Sequence, residues 1–262
     1  MKPSIVSAAI AIAICACPAP PAHAQDEIVS DRPDLVESSE VVGKGRIQVE
    51  TGLLLERDRS GEGRERTLST PSLLRLGLSD NLELRIETDG RTIRHATEDG
   101  RRTTQAGYAD TALGVSWHAL DAAGGLPSVA VLVAGELDSG SRAFRGQGLR
   151  PSLRVAAEWD LPGELSLGVM PGIGVERDEG GRYRYGILAA VLEKPLGERL
   201  RGFLEVALPQ IARGRHGGTE ATFDVGAAWL LSKDVQLDAM FSRGLNSRTP
   251  DYASTFGVSI RR

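Results

Sequence analysis

After its leader the sequence contains no cysteine, because Cys15 and Cys17 both lie in the first residues. A mature chain without them has no disulfide and no thiolate site, even in an oxidising compartment. Methionine is scarce at 3 residues and aromatics make up only 5%. Past the leader, histidine is limited to His95, His118 and His216. None of them stands beside a nucleophile motif or at a metal-ligand spacing, so no catalytic residue, cofactor or metal is expected. The glycines at 214, 217 and 218 punctuate a loop and do not cradle phosphate, since no helix follows. No apolar run after Ala24 approaches the roughly 18 to 20 residues of a helical span. A basic excess is also missing. The formal net charge is −4, and losing Lys2, the one charged leader residue, makes it −5. Nucleic acid is therefore not an expected partner.

The leader reads as an export signal. Lys2 gives a positive start, the apolar run 5–16 is too short to span a bilayer, and Ala22-His23-Ala24 offers small residues at a cleavage site. Residues 1–24 are read as a signal peptide cut after Ala24, in preference to a membrane anchor or to a lipoprotein site at Cys15 or Cys17. Residues 25–45 are polar, contain Pro33 and show neither structural period, so they form a periplasmic segment ahead of a domain covering 46–262.

Glycine is abundant, at 31 residues, and side chains alternate. In the last quarter, Phe223, Val225, Ala227, Trp229 and Leu231 share one side, while Thr222, Asp224, Gly226 and Ala228 share the other. Val235, Leu237, Ala239 and Phe241, then Phe256, Val258 and Ile260, repeat the pattern. A period of two marks strands, whose successive side chains point to opposite faces. Twelve such segments follow one another from Arg46: 46–57, 67–78, 81–91, 106–119, 127–138, 149–161, 164–177, 182–193, 199–208, and the three of the last quarter. In 182–193 the apolar phase is Tyr183, Tyr185, Ile187, Ala189 and Val191, opposite Arg184, Gly186 and Ala190.

Short links (79–80, 121–126, 162–163, 195–198, 232–234) alternate with mostly longer, polar, Gly-rich links (58–66, 92–105, 139–148, 178–181, 210–218, 244–251). Short periplasmic turns and long external loops are the asymmetry of an outer-membrane barrel, with both termini in the periplasm. Hydrocarbon offers no hydrogen bonds, so a spanning sheet must close on itself. The expected fold is all-β: a transmembrane antiparallel up-and-down β-barrel of about twelve strands. Trp117, Trp159, Trp229, Tyr183 and Tyr185 fall on the apolar phase, which suits an interfacial girdle. A soluble sandwich is the competing reading, disfavoured by strand length and by the regular loops.

The other phase is charged. Glu50, Arg75, Glu83, Arg85, Glu87, Asp110, Glu136, Arg154, Glu158, Glu176, Arg184, Arg201, Glu205, Asp224 and Asp238 all fall on it and are candidate lumen-lining residues. Mid-membrane charges on the lipid side would cost about 2 to 4 kcal/mol each. The charges either pair across the ring and close it or line a narrow polar path. The small residues beside them favour the path. Asp31-Arg32-Pro33-Asp34 either enters the periplasmic mouth and pairs with these charges or stays mobile.

Asp31-Arg32-Pro33-Asp34, then Glu37-Ser38 and the run Gly45 to Gly52, resemble the opening of a bacterial outer-membrane family described as putative transporters or "putative MetA-pathway of phenol degradation" proteins. Gly77 to Arg85 is similar to its first periplasmic turn, and Gly244-Leu245-Asn246 with Pro250-Asp251-Tyr252 and Gly257-Val258-Ser259 to its closing hairpin. The resemblance implies a channel or transporter in the Gram-negative outer membrane, taking up or exporting small molecules such as aromatic or other hydrophobic compounds. The alternative is a closed-lumen structural or surface-interaction barrel. Expected partners are outer-membrane lipid, the barrel assembly machinery and a small-molecule solute. Proteins of this kind usually end on an outward aromatic that the machinery reads; here that phase reaches Arg262, leaving Phe256 and Ile260 to carry the signal.

Overall fold

The architecture comes from a computed structural model, which describes residues 27–59, 63–178 and 181–262. The expected signal peptide, 1–24, lies outside the described residues. Alternating side chains produce strand segments almost throughout: β1 (Ile47–Asp58), β2 (Arg64–Ser69), β3 (Ser72–Gly77), β4 (Leu82–Thr88), β5 (Arg91–Glu98), β6 (Arg101–Tyr108), β7 (Thr111–Leu120), β8 (Ser128–Leu137), β9 (Arg150–Leu161), β10 (Leu165–Asp178), β11 (Gly181–Pro195), β12 (Leu200–Ile211), β13 (Thr222–Ser232), β14 (Val235–Gly244) and β15 (Tyr252–Arg261). One 3-10 turn, Gly214–His216, is the one helical element among the described residues, and no helix is long and apolar enough to cross a membrane.

Neighbouring strands pair antiparallel, and β15 returns to β1 with Gln48 opposite Arg261 and Arg57 opposite Tyr252. β1 pairs with β3 along its first half and with β2 along its second. β3 pairs with β4 and β2 with β5; β4 pairs with β7 and β5 with β6. Each of β2/β3, β4/β5 and β6/β7 is thus one wall strand in two halves, and the ring is a closed antiparallel barrel of 12 strands.

The three breaks lie side by side. Pro71 has no N–H to give a ladder. Gly90 adopts φ 63°, and a β-carbon there would strike the Thr70 carbonyl. Thr70 N–H donates to the Asp89 carbonyl at 3.0 Å, and Ala109 N–H to the Gly90 carbonyl at 2.9 Å. Above this line β6 pairs only with β5. The loop after β8 covers the start of its free edge: Ser141 N–H donates to the Tyr108 carbonyl at 2.8 Å, and Tyr108 N–H to Ser141 Oγ at 2.9 Å. The stretch 92–105, expected as a loop, is therefore mostly the hairpin β5–β6. It is polar on both faces, so no apolar alternation betrays it.

The wall is inside-out relative to a soluble sheet. Leu53, Trp229 and Phe256 expose 52%, 53% and 62% of their surface, while Glu50, Arg75 and Glu83 expose 0%, 1% and 0%. That places the oil outside. One strand departs from the sequence reading. Met170 pairs with Ala189 and Gly168 with Val191, and Met170, Ala189 and Val191 are buried inside. The phase Tyr183, Tyr185, Ile187, Ala189, Val191 therefore faces inward, whereas Leu188 and Leu192 face out and Arg184 is exposed on the outward phase. The inversion has a physical cause: this part of the interior is apolar because the chain itself fills it.

Candidate functional site

The stretch read as an irregular segment ahead of the first strand is irregular, and it lies within the ring. It is anchored at its ends by backbone bonds, Ile28 N–H to the Lys233 carbonyl at 2.7 Å and Gly45 N–H to the Gly77 carbonyl at 2.9 Å. Between these ends it is gripped by wall side chains.

At the end of the ring that carries the short turns, β1, β3 and β4 bring Glu50, Arg75, Glu83 and Arg85 together. Arg75 reaches Glu83 at 2.9 Å, Glu50 at 3.3 Å and Asp31 at 3.5 Å, and donates to the Glu40 carbonyl at 2.7 Å. Arg85 meets Asp31 at 2.6 Å, Glu83 at 2.9 Å and Glu37 at 3.5 Å. Glu50 accepts from Ser30 Oγ at 2.6 Å and Asp31 N–H at 3.0 Å, and Glu83 accepts from Val42 N–H at 2.9 Å. Burial opposes ionisation of Asp31, yet the guanidinium groups of Arg75 and Arg85 outweigh it and hold its carboxyl below the ordinary value.

Further along, Arg32 forms a bidentate pair with Asp238 at 3.0 and 3.2 Å and donates to Thr255 at 2.8 Å. Glu37 is paired with Arg154. Ser39 donates to Glu158 at 2.6 Å. Glu205 accepts the N–H groups of Leu35, at 3.0 Å, and Val36, at 2.9 Å. Burial raises the Asp34 carboxyl well above its ordinary range, and the nearby Glu205 and Glu193 push the same way. Of the motif, Asp31 and Arg32 make the ion pairs, and Pro33 turns the chain toward Leu35 and Val36.

Apolar contact completes the fit. Val36 packs with Met170, Ala189, Val191, Phe203 and Ala207, with Leu35 and Met240 against them. The wall is thinned where the segment passes. Gly52 and Gly257 pair directly, and a β-carbon on either would run into the Arg32 guanidinium. A β-carbon at Gly77 would strike the Gly43 backbone, and one at Gly168 would touch Val36. The small inward residues, read from sequence as room for a solute path, make room for the chain's own segment. Thermolysin, which cuts before Leu35 and Val36, is expected to spare the folded barrel and to cleave it once heat-unfolded; cleavage at equal rates would refute the enclosure.

Toward the end with the long loops the interior opens into a cavity of about 220 Å³, lined by Glu87, Asp89, Glu136, Arg150, Arg154 and Tyr185 among others. Arg150 lies 2.9 Å from Glu136 and 3.2 Å from Glu176. Asp110 lines this cavity and does a second job: it accepts from Gly140 N–H, Gly146 N–H and Arg150, each at 2.6 Å, and so pins the loop that covers the β6 edge. Arg201 pairs with Glu193 at 3.2 Å, and Asp224 is buried beside Thr222, at 2.9 Å.

Ser39 and Arg150 escape the sequence reading, and Glu37 enters it only as part of the resemblance, with no role assigned. Carrying the inward phase of Ser152 and Arg154 back two residues finds Arg150; nothing local marks Ser39. The three histidines lie apart. His95 meets Thr104 at 2.9 Å on the β5–β6 hairpin, and His118 meets Asp121 at 2.9 Å near a short turn at the opposite end. His216 bonds Asp178 at 2.5 Å and stacks on Tyr183 at the long-loop end. Among the described residues no group of His, Cys, Asp or Glu could hold a metal.

An outer-membrane channel from Pseudomonas putida F1 superposes with a TM-score of 0.60 over 86% of this chain and 98% of its own, at 13% identity. The β domain of the Bordetella autotransporter BrkA gives 0.51 over 83% and 99%, at 12% identity. The KdgM porin, solved with disordered oligogalacturonate, gives 0.50 over 82% and 98%, at 10% identity. At these identities the likeness speaks for the fold, that of an outer-membrane barrel. No curated protein sequence matches. A family model does match, over residues 30–261, and this chain belongs to the family described as "Putative MetA-pathway of phenol degradation".

Proposed function

We propose that this protein is an outer-membrane channel for small molecules, with no catalytic role, whose N-terminal segment is a displaceable stopper. One observation carries the reading. Between its anchored ends the segment has no backbone ladder to the wall; ion pairs, side-chain hydrogen bonds and one small apolar contact hold it. A permanent filling would be expected to join the sheet. The family description points to aromatic or other hydrophobic solutes, and the lumen-lining role belongs to the residues of the outer cavity, Glu87, Glu136 and Arg154 among them. Cleavage after Ala24 and a periplasmic position for both termini complete the picture: the segment starts beside the 232–234 turn, at the same end as Arg262. Assembly machinery would meet the protein there too.

The competing reading is a closed structural barrel, favoured by how fully the ion-pair cluster at the base is buried. Conductance of the purified full chain in a planar bilayer separates the two. Infrequent, short-lived openings are expected from the stoppered channel. A silent bilayer at all voltages, even after the segment has been dislodged, supports the closed form.

A further inference from the structure

Charges on the outer part of the wall are sorted by face. Direct pairing fixes which residues share a face: Arg243 with Tyr252, Tyr252 with Arg57, Arg57 with Arg66, Arg66 with His95 and Arg64 with Thr97. Thr97 in turn pairs with Arg102, and Arg91 with Tyr108. This is the outward face, because Leu53 and Phe256 on the same phases are exposed to oil. Across β14, β15, β1, β2, β5 and β6 it therefore carries Arg57, Arg64, Arg66, Arg91, Arg102 and Arg243. Among the described residues no carboxylate falls on this phase. The opposite phase at the same ends is mixed, with Glu56, Asp58, Glu65 and Glu98 beside Arg94 and Arg101. All six outward arginines are exposed.

Their height matters. Arg57 is the eleventh residue of β1. At about 3.3 Å per residue and a tilt near 45°, it stands about 23 Å above Ile47, near the top of an apolar band roughly 25 Å tall. Beneath it on the same phase are Leu55 and Leu53, with Leu68 on the next strand. Two of the guanidinium groups lie over rings, Arg91 on Tyr108 at 5.4 Å and Arg243 on Tyr252 at 4.3 Å, which orients them without neutralising them. A wholly cationic face at the outer headgroup level, directly above aliphatic side chains, is complementary to a molecule bearing anions above acyl chains. Arginine, rather than lysine, supplies the forked donors that phosphate oxygens accept in pairs.

We propose that this face docks a phosphorylated glycolipid of the outer leaflet, with its phosphates on the arginines and its acyl chains on the Leu53, Leu55 and Leu68 surface. The probe is bisphosphorylated lipid A, titrated into the full chain in neutral detergent and followed by native mass spectrometry. It is expected to bind at least about ten-fold more tightly than dephosphorylated lipid A, the scale of one good charge-assisted contact. The variant R57Q/R66Q/R91Q/R102Q, checked for folding by heat-modifiable migration, should lose that preference, and the milder R57Q/R66Q should lose part of it. Arg199→Gln, at the periplasmic rim, should keep it. Millimolar inorganic phosphate should leave the lipid bound. Equal binding of the two lipids, an unchanged preference in both arginine variants, or displacement by phosphate alone would each overturn the assignment.

Discussion

Replacing Arg75 with methionine is expected to destabilise the barrel more than any other single exchange in its interior. The guanidinium answers three carboxylates, Asp31, Glu50 and Glu83, and both it and they are nearly inaccessible to solvent. Taking away one partner strands the others in a low-dielectric space, which typically costs about 3 to 5 kcal/mol. Methionine keeps much of the volume, so lost packing contributes little. Urea unfolding in detergent, followed by heat-modifiable migration, reads the change. Adding Glu83→Gln should recover part of the loss, because it removes one stranded charge. If Arg75→Met unfolds at the native midpoint, the cluster is solvated and the enclosed base does not exist.

The second large effect concerns the stopper. Gly257→Leu puts a side chain where the Arg32 guanidinium lies. Overpacking of about 1 to 3 kcal/mol, added to the loss of the Arg32–Asp238 pair, shifts the segment outward by about 3 kcal/mol, or roughly two orders of magnitude in population. Single-channel openings should become frequent and long. Thermolysin should cut before Leu35 in the folded barrel. Arg32→Ala tests the same link more gently: it removes the held group and leaves the wall intact, so it should raise both readouts by less. Unchanged conductance and continued protection in both variants would show that the segment is a fixed filling.

How much of this could be read from the chain depends on what each residue faces. Where oil lies on one side and a polar interior on the other, as at Leu82–Thr88 or Arg150–Leu161, alternation alone assigns both faces. The ring, its strand number and the loop asymmetry follow. The rule fails where an apolar partner sits inside. Ala189 and Val191 are as apolar as any lipid-facing residue, but they meet Val36, far away in sequence. It fails again at the outer headgroups and beyond them. The Arg91–Glu98 and Arg101–Tyr108 strands have polar surroundings on both sides, so nothing selects apolar residues at every second place. The first failure puts Arg184 in the interior, whereas it belongs outside. The Asp31-Arg32 motif was visible as a motif, but its partners Asp238 and Thr255 lie at the other end of the chain, and only closure brings them near.

That last juxtaposition bears on how the molecule is put together. The join between first and last strands runs from Gln48 opposite Arg261 to Arg57 opposite Tyr252, and the internal segment straddles it. Ser30 contacts Glu50 on one side and Ser259 on the other, and Arg32 lies across Gly52 and Gly257. The earliest described residues thus fasten the latest ones from within. The Asp238, Thr255 and Ser259 side of the segment's cradle does not exist until the final hairpin arrives, so seating the segment there and sealing the ring belong to one late event in biogenesis. A nascent barrel stalled before that hairpin would hold its leading residues loosely and present an unzipped edge.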